Sequence, residues 1–189
     1  MNIGLDLDGV LADVVTPFCE ILSKENDFSF KPLDVTDYNF VKCVPPHLMQ
    51  PALKLIKNPD LFKQVKPFTE APKFVRELSE NNSVYIITSR PSNLTELTGE
   101  FVQTYFPTIK GIFFNRKKGP VAKQLKCRAF LDDYPKNIEE ISHYRIKSFL
   151  LDTTYNRKIM TGDSRFVKRV FSLSDFLEEI ESMNIKGGI

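Results

Sequence analysis

The feature that most constrains this chain is its N-terminal segment, in which a short apolar run ends in two carboxylates and a glycine. Residues 3–13 read Ile-Gly-Leu-Asp-Leu-Asp-Gly-Val-Leu-Ala-Asp. In a strand, Asp6 and Asp8 point to the same face, because residues i and i+2 do so. Two crowded carboxylates cost free energy unless a cation or a shared proton relieves them. The segment therefore predicts a buried strand with a Mg²⁺-dependent phosphoryl-transfer site at its carboxyl end.

The remainder of the chain predicts a parallel sheet that brings further polar side chains to the same place. From residue 70 onward, strand patterns alternate with amphipathic helix patterns, which is typical of an α/β, Rossmann-like parallel sheet with helices on both faces. The predicted strands are 3–7, 84–87, 112–114, 129–131 and 148–151. A last helix is expected over 174–183, followed by a frayed tail over 185–189. Because parallel strands end at one edge, the polar residues after strands one to four are expected to meet there.

The sequence pattern changes after the first strand, where the alternation of strands and helices is interrupted. Between residues 14 and 68 prolines cluster, aromatic residues are scattered, and only one helix is evident, near 47–57. We predict a small, mostly helical cap over 14–68, inserted into a core domain formed by 1–13 and 69–189. We call residues 14–68 the cap segment. Asp13, at its start, is expected either to cap the following helix or to contact the substrate directly.

Composition limits the class of protein. The chain has 189 residues and a formal net charge of +2, so its size suits one core domain plus a small appendage, and no global field favours nucleic acid or membranes. Cys19, Cys43 and Cys127 match neither a disulfide framework nor a zinc pattern, which predicts buried free thiols in a reducing compartment. No signal peptide or membrane span is evident, so we expect a cytoplasmic protein.

The polar residues at the predicted strand ends can supply the groups that phosphoryl transfer needs. Asp6 can act as a nucleophile that forms an aspartyl-phosphate, and Asp8 can protonate the leaving oxygen and later activate water. The hydroxyl of Thr88 can donate to a phosphoryl oxygen, although Thr88 could instead cap a helix beginning near Ser92. Lys118 can supply positive charge to the phosphoryl group and to Asp6.

Asp132 and Asp133, together with Asp6, can hold Mg²⁺, which prefers hard oxygen ligands. Both residues could touch the metal, or one could act through a water molecule, and the sequence leaves this open. The choice between the adjacent residues Lys117 and Lys118 also depends on register; Lys118 is preferred because the Arg-x-Lys spacing at 116–118 resembles the basic loop of a known family.

In this order the motifs resemble the haloacid dehalogenase superfamily of phosphohydrolases. The resemblance rests on Asp-x-Asp at 6–8, Thr-Ser at 88–89, Lys118 and the acidic pair at 132–133. It implies the aspartyl-phosphate mechanism, a phosphate-binding role for Thr88, Ser89 and Lys118, and the main-chain carbonyl of Asp8 as a further Mg²⁺ ligand. A true dehalogenase is disfavoured, because a halide leaving group does not need the proton that Asp8 supplies.

Within that superfamily the chain is most similar to the 5'(3')-deoxyribonucleotidase family. The similar segments are 6–13, 116–118, 132–135 and 150–156. The resemblance implies a nucleoside monophosphate as substrate and a homodimer as a family-level expectation. One position departs from it: mammalian members carry an aromatic residue that lines the nucleoside pocket where this chain has Val14. Another aromatic residue of the cap segment, such as Phe18, could substitute for it, and the sequence leaves this open.

Two other functions are compatible with the residues. Val14 and the small cap are also compatible with a phosphatase of another small phosphoester or of nucleic-acid ends. Two basic clusters, within 110–128 and 157–169, are usually solvated faces, but they could attract an anionic substrate or belong to a non-catalytic nucleic-acid-binding module.

Overall fold

The computed structural model describes residues 1–159 and 165–186. The strands in this part of the chain are β1 (Asn2–Leu5), β2 (Ala12–Asp13), β3 (Lys66–Pro67), β4 (Ser83–Thr88), β5 (Gly111–Phe114), β6 (Cys127–Asp132), β7 (Lys147–Leu151) and β8 (Val167–Val170). The α-helices are α1 (Val15–Asn26), α2 (Met49–Leu55), α3 (Pro59–Gln64), α4 (Ala71–Glu80), α5 (Thr95–Tyr105), α6 (Lys118–Gln124), α7 (Pro135–Ser142) and α8 (Leu173–Lys186).

The main sheet has six parallel strands in the order β5-β4-β1-β6-β7-β8, with β1 near the centre. Leu5 pairs in register with Ile86 on one side and with Leu131 on the other. From β1 the chain passes to β4 and β5 on one side, and it then crosses to β6, β7 and β8 on the other side. The strand order therefore reverses beside β1, which opens a crevice beyond its carboxyl end. The predicted α/β parallel sheet is therefore confirmed.

Alternation of side chains divides the buried residues between the two faces of the sheet. Leu5, Ile86 and Leu131 belong to the larger cluster, which α4, α5 and α8 cover. Ile87 follows Ile86 in the sequence, and Phe130 precedes Leu131. Both therefore point to the other face and belong to a second cluster with α6 and α7. Burial on both faces explains why these strands are almost continuously apolar.

The cap segment has a core of its own, built from α1, α2, α3 and the turns between them. Phe18, Leu22, Val41 and Leu61 are among its buried residues. The sequence pattern indicated only one helix in this segment, near 47–57. The structure divides that region into a 3₁₀ turn followed by α2, and it adds α3, whose start is marked by Asn58 accepting a hydrogen bond from the backbone N–H of Asp60 and by the proline that follows it.

A two-stranded antiparallel sheet joins the two ends of the cap segment, which the sequence analysis did not predict. Ala12 of β2 pairs with Pro67 of β3, and Asp13 pairs with Lys66. Each strand has only two residues, too few for an alternation of polar and apolar side chains to be recognised.

Three other expectations need correction. β1 is Asn2–Leu5 rather than 3–7, so Asp6 follows it directly. The sequence pattern did not indicate β8, an edge strand whose central residues, Lys168 and Arg169, are both charged. Of the expected tail over 185–189, Ile185 and Lys186 are part of α8 instead, and residues 187–189 lie outside the described residues.

Candidate active site

The first two acids are placed by the turn that follows β1. The backbone N–H of Asp6 still donates to Leu131 in the neighbouring strand, at 2.9 Å, and the chain then turns at Gly9, whose φ is +79°. A side chain at Gly9 would meet Asp133 and the hydroxyl of Tyr155, so this position requires glycine on two grounds. Asp6 is buried, whereas Asp8 is partly exposed.

Asp13 lies outside this site. Its Oδ1 accepts hydrogen bonds from the backbone N–H groups of Val15 and Thr16, and its Oδ2 accepts one from the hydroxyl of Thr16 at 2.6 Å. Of the two expectations for this residue, the structure supports capping of α1, since both carboxylate oxygens are engaged at the start of that helix.

Lys118 joins two of the acids. Its ammonium nitrogen lies 2.7 Å from Asp6 Oδ1 and 2.7 Å from Asp132 Oδ2, and its side chain is fully buried. Burial alone would lower the pKa of Lys118, but Asp132 and Asp6 raise it above its usual value, so the ammonium stays charged. Lys117 is exposed. The first turn of α6 thus points the second of the two lysines into the site.

The acidic pair at the end of β6 has two different environments. Asp132 is hydrogen-bonded through both oxygens, with the backbone N–H of Tyr134 donating at 2.8 Å and the side-chain amide of Asn137 at 3.0 Å, in addition to Lys118. Asp133 accepts from the hydroxyl of Tyr155 through Oδ2 at 2.5 Å. Its Oδ1 is buried and has no hydrogen-bond partner within residues 1–159 and 165–186.

These residues fit a divalent cation. Asp6, Asp132 and Asp133 each offer a carboxylate oxygen, and the three oxygens lie within 4.8 Å of one another. Burial, opposed by Lys118 and assisted by Asp132, raises the pKa of Asp6 to about 7. Burial and the other two acids also raise the pKa of Asp133 well above its usual value. When all three carboxyl groups are ionised, they carry two more negative charges than the Lys118 ammonium balances, which suits a hard cation such as Mg²⁺. The side chain of Asp8 is not part of this group; only its carbonyl could join it.

Thr88 is the last residue of β4 and is almost completely buried. Its hydroxyl oxygen accepts from the backbone N–H of Arg90 at 3.1 Å, which leaves its hydrogen free to donate to an anion. The following helical segment begins at Ser92 after Pro91, so the alternative that Thr88 caps it is wrong. Ser89 is exposed beside Thr88 at the same sheet edge.

Arg90 is a residue of the site that the sequence analysis did not single out. Its Nη2 and Nε donate to the two oxygens of Asp8, at 2.6 and 2.8 Å, and Nη1 donates to Thr98 at 3.2 Å. The guanidinium is buried and lies over the ring of Phe62, 4.9 Å from its centroid. In the sequence, Arg90 is visible only as a charged residue two positions after the end of a strand. Its partner, Asp8, is 82 residues away in the chain, so local pattern does not indicate the pair.

A cavity of about 310 Å³ adjoins Asp8 and Asp133 on the side of the cap segment. Its walls include four aromatic residues, which are Tyr38, Phe40, Phe62 and Tyr155. Val14 also lines it, as the resemblance implied for that position. Phe18, the example of an aromatic residue that could substitute at this position, is fully buried in the core of the cap segment and does not line the cavity.

One known protein family matches almost the whole of this chain. The model of the family described as "5' nucleotidase, deoxy (Pyrimidine), cytosolic type C protein" matches residues 1–175. The chain belongs to this family. The predicted resemblance is thereby confirmed, as is the prediction that the protein is an enzyme, a hydrolase of phosphoric monoesters.

Relatives with curated descriptions agree with the family assignment. A nucleotidase from Clostridium acetobutylicum is 29% identical over 167 residues, which cover 84% of this chain and 83% of the relative. A 5'(3')-deoxyribonucleotidase from the same organism is 25% identical over 171 residues, which cover 88% of each chain.

Solved structures show the same fold at much lower sequence identity. A haloacid dehalogenase-like hydrolase from Streptococcus pneumoniae has a TM-score of 0.66 at 12% identity, covering 95% of this chain and 97% of that one. L-2-haloacid dehalogenase from Xanthobacter autotrophicus has a TM-score of 0.65 at 8% identity, covering 96% and 98%. These structures show that the chain has the haloacid dehalogenase-like α/β fold.

The basic clusters are divided between structural and surface roles in this family member. Arg157 and Arg169 pair with Asp152, and Lys168 pairs with Glu179. Within 110–128, Lys118 is buried in the site. The residues at the start of β6 lie at the other end of the sheet, where the parallel strands begin. No helix in the described part of the chain has both the length and the apolar character needed to cross a bilayer.

Proposed function

We propose that this protein is a Mg²⁺-dependent phosphomonoesterase that hydrolyses nucleoside monophosphates, with 5'(3')-deoxyribonucleotides as the preferred class, through an aspartyl-phosphate on Asp6. The observation that carries the proposal is the buried Asp6–Lys118–Asp132 group at the carboxyl edge of the sheet. Membership of the nucleotidase family and the names of the two relatives support the choice of substrate class.

Asp6 is held as a nucleophile by contacts to one of its oxygens. Lys118 and the backbone N–H of Leu7 both engage Oδ1, each at 2.7 Å. These contacts fix the carboxylate and leave Oδ2 to attack phosphorus. A buried, oriented carboxylate avoids the reorganisation of water that would slow the same attack in solution.

The reaction then has two steps. In the first, an oxygen of Asp6 forms a bond to phosphorus, the ester P–O bond breaks, and Asp8 gives a proton to the leaving oxygen. In the second, Asp8 takes a proton from water, the water oxygen bonds to phosphorus, and the bond to Asp6 breaks to release inorganic phosphate. The hydroxyl of Thr88 and the ammonium of Lys118 stabilise the charge on the transferring phosphoryl oxygens.

A metal ion fits the same site without displacing these roles. Asp6, Asp132 and Asp133, with the carbonyl of Asp8, would hold Mg²⁺. When bound, the cation neutralises charge on the phosphoryl group and on the nucleophile.

Arg90 gives the proton-transferring side chain a defined position. Its two hydrogen bonds to Asp8 hold that carboxyl at the wall of the cavity, where the leaving group of a bound ester would lie. The paired contacts of a guanidinium with a carboxylate restrict rotation more than a single hydrogen bond does.

The cavity supports a nucleoside as the leaving group. Its volume is at the lower end of the range of about 300–1,000 Å³ that is common for small-molecule sites. Tyr38, Phe40 and Phe62 provide apolar faces on which a base can stack, and the neighbouring Asp8 places this surface beside the proposed proton donor.

Phosphate release from a panel of substrates tests the proposal. The panel contains 5'- and 3'-monophosphates of ribo- and deoxyribonucleosides, sugar phosphates and 5'-phosphorylated oligonucleotides, each with Mg²⁺ and with EDTA. We expect Mg²⁺-dependent release from the mononucleotides, no activity for Asp6→Asn, and retained activity for Asp13→Asn, since asparagine also caps helices.

Three outcomes would contradict parts of the proposal. Activity on sugar phosphates or oligonucleotides alone would exclude the substrate class. Full activity in EDTA would exclude the metal requirement. Full activity of Asp6→Asn would exclude the aspartyl-phosphate mechanism.

A further inference from the structure

The hydroxyl of Tyr155 fixes one oxygen of a metal-site acid and leaves the other without a partner. It donates to Asp133 Oδ2 at 2.5 Å, and both side chains are buried. Oδ1 of the same carboxylate has no hydrogen-bond partner among the described residues. A buried carboxylate oxygen without a donor is costly unless something else satisfies it, and a cation is the partner that the neighbouring acids favour.

The ring of Tyr155 belongs to a different part of the molecule from its hydroxyl. It packs in the core of the cap segment, with ring centroids 6.0 Å from Phe40 and 6.1 Å from Tyr38. The preceding residue, Thr154, donates from its hydroxyl to the carbonyl of Val35 at 3.0 Å. The loop after β7 therefore contacts the cap segment through a ring and a hydrogen bond, while Tyr155 also reaches the acidic pair.

The backbone on either side of this hydrogen bond is also fixed. Asn156 donates from its side-chain amide to the carbonyls of Asp133 and Leu151, both at 2.7 Å. On the opposite side, Gly9 packs so closely that an added Cβ would overlap Asp133 and crowd the hydroxyl of Tyr155. The carboxylate of Asp133 thus lies between the turn after β1 and the loop after β7, with little space to rotate toward Gly9.

We propose that Tyr155 is a positioning residue for the metal site: its hydroxyl orients Asp133 so that the second carboxylate oxygen is available to the cation. Because the ring packs among residues of the cap segment, the orientation of this ligand depends on the packing around the substrate cavity. The proposal rests on the proposed Mg²⁺ site, and Tyr155 itself is not expected to contact the metal or the reacting atoms.

Removing the hydroxyl gives a clean test, because Tyr155→Phe keeps the ring in its apolar surroundings. The probe is Mn²⁺, titrated into the metal-free full-length protein and followed by electron paramagnetic resonance. We expect Tyr155→Phe to bind Mn²⁺ more weakly by roughly 10–100-fold, the usual effect of losing a group that orients a metal ligand.

Thr154→Val is the matched control. It removes the hydrogen bond from the same loop to the cap segment but leaves Asp133 untouched, so it should bind Mn²⁺ with wild-type affinity. Thermal melts in EDTA verify that each variant folds, and the Mn²⁺ dependence of the melting temperature gives a second measure of affinity.

The outcomes separate this proposal from the one on which it rests. If Asp133→Asn weakens Mn²⁺ binding while Tyr155→Phe does not, Tyr155 is only a structural contact and the proposal is wrong. A lower melting temperature in EDTA with unchanged Mn²⁺ affinity leads to the same conclusion. If Mn²⁺ affinity is unchanged in both Asp132→Asn and Asp133→Asn, the proposed metal site itself is wrong.

Discussion

Lys118 offers the sharpest test of how the site is held together, because its replacement by methionine removes a charge while keeping most of the side-chain volume. The ammonium is fully buried and lies 2.7 Å from each of two carboxylates, Asp6 and Asp132. Removing one partner of a buried ion pair costs about 3–5 kcal/mol, because the remaining charge is left uncompensated. Since two carboxylates lose their partner here, we expect a loss at the upper end of this range.

The assay is urea-induced unfolding at pH 8 in EDTA, followed by circular dichroism. Lys117→Met is the matched control, since Lys117 is exposed and adjacent; its effect should stay within about 0.5 kcal/mol. The loss in Lys118→Met should shrink at pH 5, because the pKa of Asp6 is already raised to about 7 and this carboxyl can take up a proton. Equal stability of the two variants at pH 8 would refute the assignment of Lys118 as the buried counter-ion.

Three further predictions concern the same edge of the sheet. Burial raises the pKa of Asp6 from 3.8 to about 7, so between these pH values the folded metal-free protein retains a proton that the unfolded chain loses. The free energy of unfolding, measured relative to Asp6→Asn in EDTA melts, should therefore fall as the pH rises from about 4 to about 7. A difference that is independent of pH would contradict this. Arg90→Met should lower kcat more than it changes KM in nucleotide hydrolysis, because it frees Asp8 to rotate without altering the phosphate contacts; a change in KM alone would contradict this. Gly9→Ala should destabilise the protein by more than the roughly 1 kcal/mol of an average substitution, since the new Cβ needs a positive φ and overlaps Asp133; a melting temperature equal to wild type would show that the turn can move.

Residues that follow strands could be assigned from the sequence because the reasoning needs only local pattern. Asp6, Thr88 and Asp132 each lie at or directly after a parallel strand, and the shared edge of a parallel sheet brings such residues together without further information. Motif spacing also predicts Lys118 rather than Lys117, and the physical reason is that Lys118 begins the first turn of α6.

Contacts between distant segments could not be obtained in this way. Arg90 pairs with Asp8 across 82 residues, and Tyr155 donates to Asp133 across 22 residues. Their identities are unremarkable in sequence, since an arginine or a tyrosine in a loop is usually solvated, and only the packing of the cap segment decides where they point. The position of Phe18 could not be predicted for the same reason: helical spacing does not show whether Phe18 faces the core of the cap segment or the cavity.

The short antiparallel pair between β2 and β3 places the entry and the exit of the cap segment side by side. Because this pair holds both ends of the segment together, changes in length or sequence between Val15 and Gln64 need not alter the spacing of Asp6 from the other strand ends. In the proposed function, the cap segment contributes to recognition of the leaving group and the sheet edge carries the bond-breaking groups, and Tyr155 is the contact through which a change in the cap segment still reaches the metal site.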